Sequence, residues 1–196
     1  MISLSFGFRA RVPLIDEAIV EAASKTVIFA AASNVGGNAA VSWPARHHQV
    51  LCVFATDGEG NRYPKNPSPR ADDRNFAILG SSVKGYWPPT LCQSGNTMHK
   101  SGTSCATPIA AGVAGLIIDF LRRCEGHHTG PGFNRRRKRY DDALRVVRTA
   151  GGMRAVFHLM ANKREGYDYI TPWSLFTGDE EDTDVVGEIL KALRDC

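Results

Sequence analysis

The chain has 196 residues, 43% hydrophobic and 22% charged, with a formal net charge of +4. That balance describes one globular domain with a sizeable core, and the charge is too small to argue for a nucleic-acid partner. No apolar run of about 18 residues escapes interruption by charge, and no basic-then-apolar leader stands at the start, so neither a membrane span nor an export signal is expected.

Ile2, Leu4 and Phe6 alternate with Ser3 and Ser5, which predicts a strand over the first residues. From Pro13 to Ser24, Ile15, Ala18, Ile19, Ala22 and Ala23 share one helical face, with Asp16 and Glu17 in the first turn. Val27 to Ala32 is apolar without alternation, the pattern of a strand buried on both faces of a parallel sheet. Strand, helix and strand in this order predict a right-handed crossover. The second strand runs into Ser33-Asn34-Val35-Gly36-Gly37. A polar residue at the carboxyl end of a buried parallel strand faces the crevice where such sheets bind ligands. The Asn34 amide is therefore a candidate donor to an oxyanion; read alone, it better suits a Gly-rich turn.

Val50 to Ala55 is a further apolar strand, after the turn Ser42-Trp43-Pro44-Ala45. Thr56 to Asn61 is a turn cluster, and Asp57-Gly58 is read as part of that turn. Tyr63 to Asp73 is a proline-rich, charged surface loop. Phe76 to Leu79 is short and apolar, Trp87-Pro88-Pro89 makes a corner, and Ser94 to Lys100 is polar, with His99 as a loop residue.

Ser101-Gly102-Thr103-Ser104 then enters a run dense in Ala and Gly, reaching Phe120 with Asp119 near its end. Its length predicts a buried helix, beginning near Thr103 or Ser104 because Pro108 is tolerated in a first turn. Ser104 falls where backbone N–H groups are unpaired and the dipole is positive, so its hydroxyl is placed to attack a carbonyl. A plain N-cap is the alternative.

Beyond Arg122, the run Arg135-Arg136-Arg137-Lys138-Arg139 predicts an exposed, mobile segment. Asp141 to Thr149 reads as a short helix, and Met153 to Met160 carries an apolar face. Asp179 to Asp182 is acidic, and Asp184 caps a last helix with Val185, Val186, Ile189, Leu190 and Leu193 on one face. Cys52, Cys92, Cys105, Cys124 and Cys196 form no C-x-x-C pair, which points to free thiols rather than a disulfide framework or a zinc site.

The string Gly102-Thr103-Ser104-Cys105-Ala106-Thr107-Pro108 followed by Ile109-Ala110-Ala111-Gly112 resembles the nucleophile segment of subtilisin-like serine proteases. Ala31-Ala32-Ser33-Asn34-Val35-Gly36 resembles their oxyanion-hole segment, and Ser5-Phe6-Gly7 the strand that walls the substrate cleft. The style of Ser5 to Phe8 and of Trp43 to Arg46 is most similar to the intracellular members of filamentous fungi. The resemblance covers roughly Met1 to Phe120.

It implies an α/β fold, a parallel sheet flanked by helices, incomplete at the N-terminus and followed by a helical C-terminal tail. The units would be 1–123, the carboxyl-terminal part of the peptidase domain; 124–139, a basic loop; and 140–196, the tail. It implies an intracellular serine endopeptidase with Ser104 as nucleophile and Asn34 in the oxyanion hole, acting on an extended polypeptide; no cofactor and no metal-ligating residues are read in the chain, and calcium sites stay open. Substrate contacts would come from Ser5, Phe6, Gly7, Ala31, Ala32, Ser33 and Thr103. The family's Asp and its His-Gly-Thr histidine have no counterpart here and are expected upstream of Met1. A chain without them is expected to be inactive alone. A non-catalytic peptide-binding module and a truncated gene product stay open as rival readings.

Overall fold

The computed structural model describes residues 1–71, 74–91, 96–126, 133–176, 182–194 and 196. Its strands are β1 (Ile2–Leu4), β2 (Ile28–Ala31), β3 (Val50–Thr56), β4 (Phe76–Leu79), β5 (Val83–Tyr86), β6 (Thr97–Lys100), β7 (Ala161–Arg164) and β8 (Tyr167–Ile170). Its helices are α1 (Pro13–Ala23), α2 (Thr103–Gly126), α3 (Phe133–Val146), α4 (Ala150–Leu159) and α5 (Asp182–Ala192). Six strands form one sheet in the order β1-β2-β3-β4-β8-β7, parallel except for the β7–β8 pair. β5 and β6 pair separately as an antiparallel hairpin.

The absence of alternation in β2 and β3 has a direct cause: both sheet faces are covered. Phe29, Leu51, Val53 and Ala55 point to the face that carries α2, α4 and α5. Ile28, Ala30, Cys52 and Phe54 point to the other, where Ile19 of α1 and Tyr167 pack. Apolar residues on both sides of a strand are what a parallel sheet between helices requires. Within α1, Asp16 is buried and Ala18 is exposed, so the buried face is turned from the expected one.

The helix α2 starts at Thr103, as the turn predicts, but it is buried on one face only. Ala106, Ala110, Ala114, Ile117, Leu121 and Cys124 recur at helical spacing and are at most 9% exposed. Leu116, on the opposite face, is 70% exposed. Uniform apolarity hid this asymmetry. By length and mean hydropathy (1.7), Thr103–Glu125 would pass for a membrane span; its packed face marks it as a sheet-covering helix. Small residues bring it close. A Cβ on Gly80 would lie 2.7 Å from Ala55 Cβ and 2.8 Å from Ala106 Cβ.

The carboxyl-terminal segment is not purely helical. β8 adds to β4 in parallel, and β7 folds back on β8 through Glu165-Gly166, both at positive φ (51° and 83°). This is the backbone of a two-residue hairpin turn whose twist suits its strands. The basic stretch 135–139 lies in α3 rather than in a loop, because Tyr140, Ala143 and Leu144 anchor that helix on the core. α5 buries Val185, Val186, Ile189, Leu190 and Leu193, as its periodicity predicts. The acidic residues 179–181, together with Cys92, His127 and His128, lie outside the described residues.

The α3–α4 connection depends on one glycine. Thr149 caps α4, its Oγ1 accepting from Gly152 N at 3.1 Å, and a Cβ on Gly152 would lie 2.1 Å from the Val146 carbonyl oxygen. Gly152→Ala is expected to destabilise the protein by about 1–3 kcal/mol, as overpacking against a fixed backbone does. Thermal unfolding measures it; an unchanged Tm would show that the connection adapts.

Candidate active site

The site assembles where the end of β2, the segment after β1 and the start of α2 meet. Gly102 (φ +146°) donates its N–H to the Gly80 carbonyl at 2.7 Å, and a Cβ there would lie 2.9 Å from Asn34 Nδ2. Only glycine allows both the conformation and the approach. The chain then enters α2 with Thr103 fully buried. Asn34 Oδ1 accepts from Thr103 N at 2.9 Å and from Thr103 Oγ1 at 3.2 Å. Those bonds fix the amide's orientation and leave Nδ2 without a hydrogen-bond partner among the described residues.

Ser104 is exposed, on the first turn of α2. Its Oγ donates to the Ser5 carbonyl at 3.4 Å, and Ser5 Oγ donates to the Ser104 carbonyl at 3.0 Å. Pro108 explains the second bond. Without an N–H, it cannot pair with the carbonyl four residues back, and that carbonyl belongs to Ser104. Ser5 fills the gap. Thr107 Oγ1 donates to the Thr103 carbonyl at 2.7 Å, tightening the same turn.

The predicted contact residues divide. Ser5, Phe6 and Gly7 lie exposed beside Ser104. Phe8 bridges to Trp43, so a Cβ on Gly7 would come 2.6 Å from Ser42 Cβ. Ser33, Val35, the run Ala39 to Ser42 and Arg9 line a cavity of about 200 Å³ next to Asn34. Ala31 and Ala32 do not reach it. They are core residues, and Ala32 spends its N–H on the Val53 carbonyl and its own carbonyl on Ser42 N. Thr103, also expected to touch substrate, is buried and holds Asn34 instead. Arg9, Val41 and Ser42 escaped the sequence reading, because nothing in their local strings ties residue 9 to residues 33–42.

No described imidazole is hydrogen-bonded to Ser104. His99 lies in β6 opposite Lys84, His158 packs on Phe76, and His47 is buried against Trp43 and His48. Asp57 is a turn residue, as read: its carboxylate accepts from Glu59 N, Asn61 N and Asn61 Nδ2, and the Asn61 amide above all holds it below the usual carboxylate range.

His47 gives the fold a pH dependence. Burial lowers its pKa from 6.5, and repulsion from His48 and Arg11 adds to this. The Asp16 carboxylate, 3.4 Å from Nε2, pulls the other way, but Arg11 already neutralises it. Nδ1 accepts from Gln49 N at 3.1 Å, a bond that only the unprotonated nitrogen makes. The unfolded imidazole takes up a proton near pH 6.5 while the folded one resists. Stability is therefore complete above that pH and falls as pH drops below it. His47→Gln is expected to flatten this limb in denaturant titrations at several pH values; an unaltered slope would assign it to other groups.

Residues 1–130 match the model of the subtilase family. The chain belongs to that family. Among its subtilase relatives, M-protease of Shouchella clausii is 33% identical over 115 residues, which is 59% of this chain and 28% of the relative. Subtilisin Savinase of Lederbergia lenta is 32% identical over the same length, 40% of that protein. The cell wall-associated protease of Bacillus subtilis is 41% identical over 93 residues, 47% of this chain and 10% of the relative. The chain thus spans well under half of these subtilases. In structure, a point mutant of the protease domain of PatA superposes with a TM-score of 0.66 at 23% identity, over 92% of this chain and 61% of that one. The prenylagaramide maturation protease PagA gives 0.64 at 22%, over 96% and 62%. These two likenesses establish the subtilase fold, an α/β sheet between helices.

Proposed function

We propose that the chain carries the nucleophile and oxyanion-binding part of a serine endopeptidase site. Ser104 Oγ attacks the scissile carbonyl carbon, and the carbonyl oxygen gains negative charge as its π bond breaks. Asn34 Nδ2 and the Ser104 N–H donate to that oxygen, since Thr103 N is held by Asn34 and Cys105 N and Ala106 N by the Gly102 carbonyl. The observation that carries the reading is the Asn34–Thr103 pair, which ties an open amide donor to the residue next to Ser104. The exposed Ser5 to Gly7 segment walls the cleft for an extended polypeptide.

A hydroxyl needs a base to take its proton. We read the base as a histidine, oriented by an aspartate, from a segment outside these 196 residues, which makes the chain the carboxyl-terminal part of a catalytic domain. The strings Ser5 to Phe8 and Trp43 to Arg46 support the filamentous-fungal intracellular type, and the cysteines Cys52, Cys105, Cys124 and Cys196, which form no disulfide among the described residues, support a reducing compartment. The lack, among the described residues, of an imidazole hydrogen-bonded to Ser104 equally favours a second reading, a module that binds peptides without cleaving them.

A fluorophosphonate probe tests this. The 196-residue chain is expected to label slowly at Ser104, and a version extended upstream through the aspartate and histidine rapidly. Rapid labelling of the shorter chain would overturn the external base. No labelling of the longer one would overturn Ser104 as nucleophile and favour the binding module.

A further inference from the structure

The cavity beside Asn34 has a chemical bias. It holds about 200 Å³, room for one side chain, and Ser33 and Val35, on either side of Asn34 in the chain, are part of its lining. Val35, Ala40 and Val41 give it apolar walls suited to methylene groups, and Ser33 and Ser42 add hydroxyls. Arg9 is the one charged residue in its lining.

The neighbouring charges leave Arg9 available. Arg46 donates to the Arg9 carbonyl at 2.8 Å, bringing a second guanidinium to this edge rather than a carboxylate. Arg11 is paired with Asp16 and lies over the Trp43 ring. Asp16, the nearby acid, is buried and committed to Arg11, with His47 on its other side. Arg9 itself makes no ion pair among the described residues. A guanidinium on a small, hydroxyl-bearing pocket suits a planar carboxylate, which accepts paired N–H bonds, and repels an ammonium group.

We propose that this pocket selects an acidic side chain, so that the site acts on polypeptides beside glutamate or aspartate. The proposal rests on reading Ser104 and Asn34 as the reacting pair, since that places the pocket next to the scissile bond. Arg9 is then a specificity-determining residue; it takes no part in bond breaking.

The experiment separates the two readings. Fluorescein-labelled Gly-Ala-Ala-Xaa amides, with Xaa as Glu, Gln, Leu or Lys, are titrated into the 196-residue chain and followed by anisotropy. The Glu peptide is expected to bind about tenfold more tightly than the Gln peptide, the size of one hydrogen bond to a charged group. Arg9→Gln should erase that preference, and Arg9→Glu should invert it toward Lys. Arg9 is exposed, so both variants are expected to melt like the parent. Equal binding of Glu and Gln peptides, a preference that survives Arg9→Gln, or no binding of any peptide by a folded chain overturns the proposal. Ser104→Ala is expected to keep the Glu preference. In the upstream-extended protein, hydrolysis without a preference for Glu would overturn the pocket's selectivity and leave the nucleophile standing. A Glu preference in binding without probe labelling would overturn the nucleophile and leave the pocket.

Discussion

Ser104→Ala is expected to lower peptide hydrolysis about 10⁶-fold in protein that includes the acid–base pair, a magnitude borrowed from the loss of the nucleophile in subtilisin. The fall should appear in kcat. The Ser5 to Gly7 segment and the cavity lined by Ser33 and Val35, proposed above to bind substrate, are left in place by the substitution. Stability should change by less than about 0.5 kcal/mol, because the substitution removes only an exposed 3.4 Å bond to the Ser5 carbonyl and keeps the bond from the Ser5 hydroxyl to the carbonyl of residue 104. An unaltered kcat would remove Ser104 from the chemistry. The neighbouring thiol then becomes the first suspect: Cys105 is partly exposed, and inactivation by iodoacetamide would identify it.

Asn34→Ala is expected to lower kcat by about 10²–10³ with little change in KM, the range known for the equivalent donor in subtilisin. A donor that meets the oxygen chiefly when it is charged acts on the transition state more than on bound substrate. The variant also strips an acceptor from Thr103 N, so about 1 kcal/mol of stability should go with it. Thr103→Val separates the effects. It removes only the 3.2 Å hydroxyl bond, leaves Nδ2 in place, and should reduce kcat far less. Equal losses in the two variants would make Asn34 a structural residue of the turn.

Much of this arrangement is legible in the residues themselves. Val27 to Ala32 and Val50 to Ala55 announce strands covered on both faces, because an open face would need alternating polarity. The step from Gly102 into Thr103 marks the start of α2, although Pro108, expected in the first turn, lies one turn further inside the helix. Three things were hidden. The half-exposure of α2 cannot be read from a run that is apolar on every side. The hairpin of β7 and β8 does carry a local signal, Glu165-Gly166 before Tyr167 and Tyr169, but the helical periods on either side mask it. The membership of Arg9 in the cavity rests on the Phe8–Trp43 bridge, a long-range pairing with no trace in either string. The same limit applies to Ala31 and Ala32: motif position puts them near the site, and their side chains are buried in the core at the end of β2.

The pairing of β4 with β8 also bears on how the protein is made. Phe76 lies beside Asp168, and Asn75 accepts from the Asp168 N–H at 2.9 Å, across about ninety residues of chain. Loops of that length close slowly, and non-local strand pairing delays folding. At ordinary translation rates those residues take roughly 5–20 s to emerge. During that interval β4 is an unprotected sheet edge carrying Phe76 and Ile78. The turn from Gly102 to Ser104 is already synthesised by then, yet its sheet is unfinished. A nascent-chain protease-sensitivity assay should therefore show chains stalled before residue 167 cut readily and chains stalled well beyond it protected.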